Sequence, residues 1–176
     1  MSLASLNYFE LFSLPKSFQV AGNDLERAYK KLQAQHHPDR FTDADDSERL
    51  RALQHTSLIN DAYETLKSPL KRAAYLLKLS DIDPEEHNQA HLHGDFLLRQ
   101  METREALEGL LVKEDIEGLD RMKGAVNLEK DETLGQFVSA YTAGELVDAK
   151  SIYNKLQFLF KLADEIESAE EKLLDY

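Results

Sequence analysis

A chain of 176 residues with 42% apolar content can bury a core for one large domain or two small ones. The absence of cysteine excludes a disulfide framework, a thiolate zinc site, a cysteine nucleophile and iron–sulfur ligation through the chain's own thiolates. A net charge of −12 argues against broad nucleic-acid binding, whose affinity comes from counterions released around a basic surface, and makes any local basic cluster informative.

Only seven glycines and four prolines interrupt a sequence rich in Ala, Leu, Glu, Lys and Asp, so the fold class expected is all-α. "SLNYFELFSLP" (5–15) reads as a short apolar turn closed by Pro15. Asn23 or Asp24 can cap a helix in which Leu25, Ala28, Tyr29 and Leu32 follow the helical period. A third helix, capped near Ser47, turns Leu53, Ile59, Ala62, Tyr63 and Leu66 toward one side, and a fourth starts after Pro69, a favoured first-turn residue. The loop "HHPDRFTDADD" joins the second and third helices into an antiparallel hairpin of ordinary connection length.

Residues 81–94 break the period and hold Pro84 and Gly94, which predicts a linker. Beyond it, helices are expected near 95–111, 114–141 and 145–174, forming a three-helix bundle. The last helix, roughly 43 Å long at 1.5 Å per residue, carries a stripe of Leu146, Ala149, Ile152, Tyr153, Leu156, Leu159, Phe160, Ala163, Ile166 and Leu173. No basic segment precedes an apolar run at the N-terminus, and no window approaches about 18 consecutive apolar residues, so a soluble, cytoplasmic protein is expected, with no membrane partner.

The helix stop at His37-Pro38-Asp39 carries the first functional signal. Proline ends the helix and fixes its own φ, which places the flanking imidazole and carboxylate at a defined spot on an exposed loop. Alone, the tripeptide reads equally as a plain helix stop. Arg27, Lys30 and Lys31, however, share one face of the preceding helix, opposite Leu25, Tyr29 and Leu32. A basic stripe leading to an exposed acid-bearing loop has the look of a docking surface for an acidic protein partner.

"NYFELFSLP", the basic helix, "HPD" and "INDAYETLKSPLKRAAYLL" together resemble a J-domain, the module that switches on the ATPase of DnaK-type chaperones. The resemblance implies that His37, Pro38 and Asp39 form the signalling loop beside the basic face of Arg27, Lys30 and Lys31, with Asp39 meeting an arginine of the chaperone. Such a pair fixes orientation more than affinity. The chemistry then belongs to the partner, and the chain is expected not to be an enzyme and to need no cofactor.

In the second module, "DFLLRQMETREALEGLL" (95–111) is apolar on two sides. Phe96, Gln100, Thr103, Leu107, Leu110 and Leu111 share one face, suited to the bundle core. Leu97, Leu98 and Met101 fall roughly 90–190° away at 100° per residue, bordered by Glu102 and Glu105. An apolar patch with an adaptable methionine and an acidic rim suits protein binding; the bland alternative is a helix wedged between the modules and buried all round. Phe158, in "NKLQFLFKL", points off its own stripe and can serve as a second anchor.

With "AEEKLLDY" at the end, these features resemble the HscB-type J-domain co-chaperones of iron–sulfur cluster assembly across essentially the whole chain. That resemblance implies a J-domain at 1–80, a linker at 81–94 and a bundle at 95–176 that binds the cluster scaffold IscU and delivers it to the chaperone HscA. Leu97, Leu98, Met101, Glu102, Glu105 and Phe158 match the family's scaffold-binding face. The chain departs from it one turn further along, where Gly109 replaces an acid. Lacking the cysteine-based module of many eukaryotic relatives, it resembles bacterial members.

Three other readings compete. A general J-protein would serve another client. A small helical metal-binding protein would use His87, His91 and His93; two of these have i, i+4 spacing, but no Glu lies between them in H-E-x-x-H order and no regular amphipathic helix supports them, so linker histidines and no metal site are expected. Finally, the long last helix could pair weakly with its twin as a homodimer.

Overall fold

The computed structural model describes residues 3–41, 45–85 and 94–174. These residues form seven α-helices: α1 (Tyr8–Leu11), α2 (Gly22–His36), α3 (Asp46–Lys67), α4 (Pro69–Lys78), α5 (Gly94–Val112), α6 (Ile116–Ala143) and α7 (Leu146–Leu174). Two short 3-10 helices, Leu3–Ser5 and Pro38–Phe41, complete the secondary structure, and no strand occurs among the described residues. The chain divides into two compact units between Leu76 and Leu77.

In the first unit, Asn7 starts α1 with a capping box: its side chain accepts from the Phe9 and Glu10 amides while Glu10 accepts from the Asn7 amide at 2.9 Å. This short turn drives Phe9, Leu11 and Phe12 into a core with Leu25, Ile59, Ala62, Leu66 and Ala73. α2 and α3 form the expected antiparallel hairpin, but their caps differ from expectation. α2 begins at Gly22 with Ala21 as its N-cap and no side-chain cap, so neither Asn23 nor Asp24 caps it. Asp24 instead lies in the first turn, where a carboxylate favours the positive helix end, and pairs with Arg27 at 3.7 Å. α3 is capped by Asp45, which accepts from the Glu48 amide at 2.8 Å, two residues before the expected Ser47.

The second unit is built on α6 and α7, which run antiparallel through a turn at Gly144. That residue adopts φ 78°, a left-handed conformation that glycine takes without a Cβ penalty. Leu119, Val126, Leu162, Ile166 and Ala169 form the core here, joined from α5 by Leu107. Lys123 clasps Glu170 at 2.6 Å and Lys155 clasps Glu129 at 2.8 Å across the pair. The buried stripe of α7 is wider than its sequence period suggests: Leu162 and Ala169 are buried, while Phe160 and Ala163 are only half-buried, because both α5 and α6 pack on this helix.

Between α5 and α6 the chain turns sharply. Asp115 caps α6 by accepting from the Gly118 amide at 2.8 Å. A Cβ on Gly118 would collide with the Leu110 and Asp115 side chains, which would have to shift to admit it. Residues 81–85, expected to begin the linker, lie in the second unit with Pro84 fully buried and Ser80 bonded to Tyr141 at 3.0 Å. His87, His91 and His93 lie outside the described residues, among which no group of three or more His, Asp or Glu is placed to hold a metal ion.

Candidate functional site

The loop after α2 is built by competition for the orphaned carbonyls at the helix end. His37 leaves the helix at φ −59°, ψ 131°, the extended conformation that a following proline imposes. Pro38 then opens the 3-10 helix, whose Arg40 amide donates to the His37 carbonyl at 3.0 Å. Arg40 Nη1 reaches back to the Ala34 carbonyl at 3.1 Å, and from α3 the Thr56 hydroxyl donates to the His36 carbonyl at 3.0 Å. The loop is therefore pinned to the last turn of α2.

Within it, His37 Nδ1 accepts from the Asp39 amide at 3.3 Å and lies 3.5 Å from Asp39 Oδ2. The Asp39 side chain is 86% exposed and that of His37 50%, so both face solvent. His36, one residue earlier, is turned the other way: its half-buried ring meets His55 edge-on at 4.9 Å. Burial first, and the facing imidazole second, lower its pKa.

Arg27, Lys30 and Lys31 are all exposed on α2, as their spacing predicts. The face is not purely basic, however. Lys30 Nζ lies 2.6 Å from Glu26, which raises the lysine pKa and lowers that of the acid, and Arg27 has Asp24 beside it. Both pairs are solvent-exposed and contribute little to stability. The stripe is oriented by Tyr29, whose ring stacks on Tyr63 of α3 at 4.1 Å. Its hydroxyl donates to Asn60 at 3.1 Å and accepts from Gln33 at 2.9 Å.

Sequence reasoning missed two supports of this hairpin, Thr56 and Arg72. From α4, Arg72 donates to the carbonyls of Leu66 (2.7 Å), Phe18 (2.6 Å) and Lys67 (3.4 Å), with its guanidinium 5.2 Å from the Phe18 ring centroid. Burial lowers its pKa.

In the second unit, α5 has the two apolar sides that its sequence implies. Leu107 is buried, and Leu110 and Leu111 pack against the core. On the other side Leu98 is 57% and Met101 70% exposed, flanked by exposed Glu102 and Glu105. Leu97 belongs to the same helix, with its side chain outside what the structure describes. The expected off-stripe direction of Phe158 is corrected: it is half-buried, packs against the Leu107–Leu162–Ile166 core, and meets Phe96 edge-on with centroids 5.8 Å apart. α7 receives α5 along this line, so a residue off the α6-facing stripe is still covered. Gly109 has open space around its Cα.

Two family models match the chain: a DnaJ domain over residues 7–75 and an HSCB C-terminal oligomerisation domain over residues 93–167. A co-chaperone protein HscB homolog from Vibrio cholerae serotype O1 is 39% identical over 170 residues, 96% of this chain and 99% of the relative. Among solved structures, the chaperone HscB from Vibrio cholerae superposes with a TM-score of 0.85 at 38% identity, covering 96% of this chain and 99% of that one. The human co-chaperone protein HscB superposes with a TM-score of 0.87 at 30% identity, covering 93% of this chain and 81% of that one.

Proposed function

Because the chain belongs to the HscB family of J-domain co-chaperones, we propose that it is a two-ended adaptor for iron–sulfur cluster assembly in the cytoplasm. One end, the α5 face of Leu97, Leu98, Met101, Glu102 and Glu105, with Phe158 supporting the helix from its core side through Phe96, holds the scaffold protein IscU. The other presents His37, Pro38 and Asp39, with Arg27, Lys30 and Lys31, to the DnaK-type chaperone HscA and stimulates its ATP hydrolysis. Carrying both contacts in one chain raises the scaffold's effective concentration at the chaperone's peptide cleft. Hydrolysis then clamps the scaffold and favours release of its cluster to an acceptor.

The observation that carries this reading is the exposure of Leu98 and Met101 beside two carboxylates on a helix whose opposite side is already committed to a core. An apolar face rimmed by carboxylates suits a protein partner as its cover. The test is a calorimetric titration of cluster-free IscU into the protein, followed by HscA ATPase assays with each component omitted in turn. Binding of IscU, and ATPase stimulation greater with the ternary mixture than with either partner alone, are expected. Absence of IscU binding removes the cargo end.

A further inference from the structure

The three residues of the signalling loop cannot set their own direction. Their backbone leaves α2 at an end whose last carbonyls have no helical partner, and the angle of departure depends on what satisfies those carbonyls. Among the described residues, two side chains do so. Arg40 holds Ala34, but it sits inside the loop, next to Asp39, and is itself exposed to any partner. Thr56 holds His36 from α3, 20 residues away, and is half-buried with its hydroxyl turned inward. Beside it the His36–His55 edge contact closes the same seam, so the α2 end is fixed against α3 by one hydrogen bond and one ring contact.

We propose that Thr56 is a positioning residue for chaperone engagement: by donating to the His36 carbonyl it sets the orientation in which His37 and Asp39 are presented. The inference rests on the docking role proposed above for the loop. Thr56 is half-buried and gives its hydroxyl to the end of α2. It acts through the backbone, one residue before His37, where a small rotation of the terminal peptide swings both exposed side chains. Removing the hydroxyl leaves a half-buried carbonyl without its donor and frees the loop to sample other directions.

The test compares Thr56→Val, which keeps shape and removes the donor, with Thr56→Ser, which keeps the donor. Thr56→Val is expected to need about fivefold more protein for half-maximal stimulation of HscA ATPase, the scale of one lost hydrogen bond. Thr56→Ser should stay within about twofold of the parent. The amide resonances of Asp39 and Arg40 should move in the valine variant and return in the serine variant, while IscU affinity stays constant in both. If valine does not pack at this site, Thr56→Ala against Thr56→Ser makes the same comparison. A valine variant as active as the parent, or a serine variant as impaired as valine, overturns the positioning role. His37→Gln is the control arm: if it loses stimulation while Thr56→Val keeps it, only the positioning role fails, and if it keeps full stimulation, the docking role of the loop fails.

Discussion

Arg72 Nη1 donates to the carbonyl of Phe18 at 2.6 Å, across 54 residues of sequence. The same guanidinium takes the carbonyls of Leu66 and Lys67, the last turn of α3, so one side chain fastens the loop before α2, the end of α3 and the start of α4. A lysine gathers its three donors on one nitrogen and cannot reach the separate carbonyls that Nε, Nη1 and Nη2 contact. Arg72→Lys should therefore destabilise the first unit nearly as much as Arg72→Ala, each by about 2 kcal/mol. Thermal melts followed by circular dichroism check this; full rescue by lysine refutes the geometry.

The exposed pair His37 and Asp39 contributes no core packing. His37→Gln is expected to abolish stimulation of the chaperone ATPase while leaving helical content and IscU affinity unchanged. Steady-state ATPase and titration calorimetry on one preparation measure both.

Leu98 and Met101 differ from Phe158 in what else they touch. Replacing the first two together by alanine should weaken IscU binding on the order of tenfold or more while shifting stability by less than about 0.5 kcal/mol. Phe158→Ala removes a ring packed on Phe96 and the bundle core, and should lower stability by about 2 kcal/mol as well as weakening binding. Urea unfolding separates the two classes. Equal destabilisation by both would mean that the α5 face is not free.

At the α5–α6 corner, Gly118→Ala should lower stability by about 1–3 kcal/mol, because the new methyl group must displace Leu110 or the capping Asp115. An alanine variant with an unchanged urea midpoint would show that the corner can relax.

His36 gives the first unit a pH dependence of known sign. Its folded pKa lies below the ordinary histidine value through burial and the His55 ring, so folded and unfolded chains both carry it uncharged above about pH 6.5. As pH falls through that value the unfolded chain takes the proton first, and stability is lost progressively toward acid. The melting temperature should drop more steeply from pH 7.5 to 5 in the parent than in His36→Gln. His55→Gln should flatten the slope only in part, since burial is the larger cause.

The helical hairpin, the loop tripeptide and the two-sided α5 were legible in the sequence because each is a periodic or local signal. Leu107 and Leu111 against Leu98 and Met101 separate on a wheel with no other information. Caps were less legible: Asp24 and Ser47 are good capping residues, yet α2 starts at Gly22 with no side-chain cap and Asp45, another good capping residue, starts α3 at Asp46. Thr56 and Arg72 left no pattern at all. Their partners are backbone carbonyls, those of His36 and Phe18 distant in sequence, and a carbonyl has the same appearance at every residue. Leu162 escaped the expected stripe because a helix touched by two neighbours buries more than one face.

The rings of Tyr8 and Tyr75 stack at 4.4 Å, and the Tyr75 hydroxyl accepts from the Tyr8 amide at 2.9 Å. The first unit is thus shut by joining nearly its earliest residue to nearly its latest. During synthesis α2 and α3 can pair as soon as they leave the ribosome, but α1 has no complete seat until α4 has emerged. A fusion or stall placed shortly before Tyr75 would therefore yield a nascent chain with its hairpin formed and its entrance unlatched.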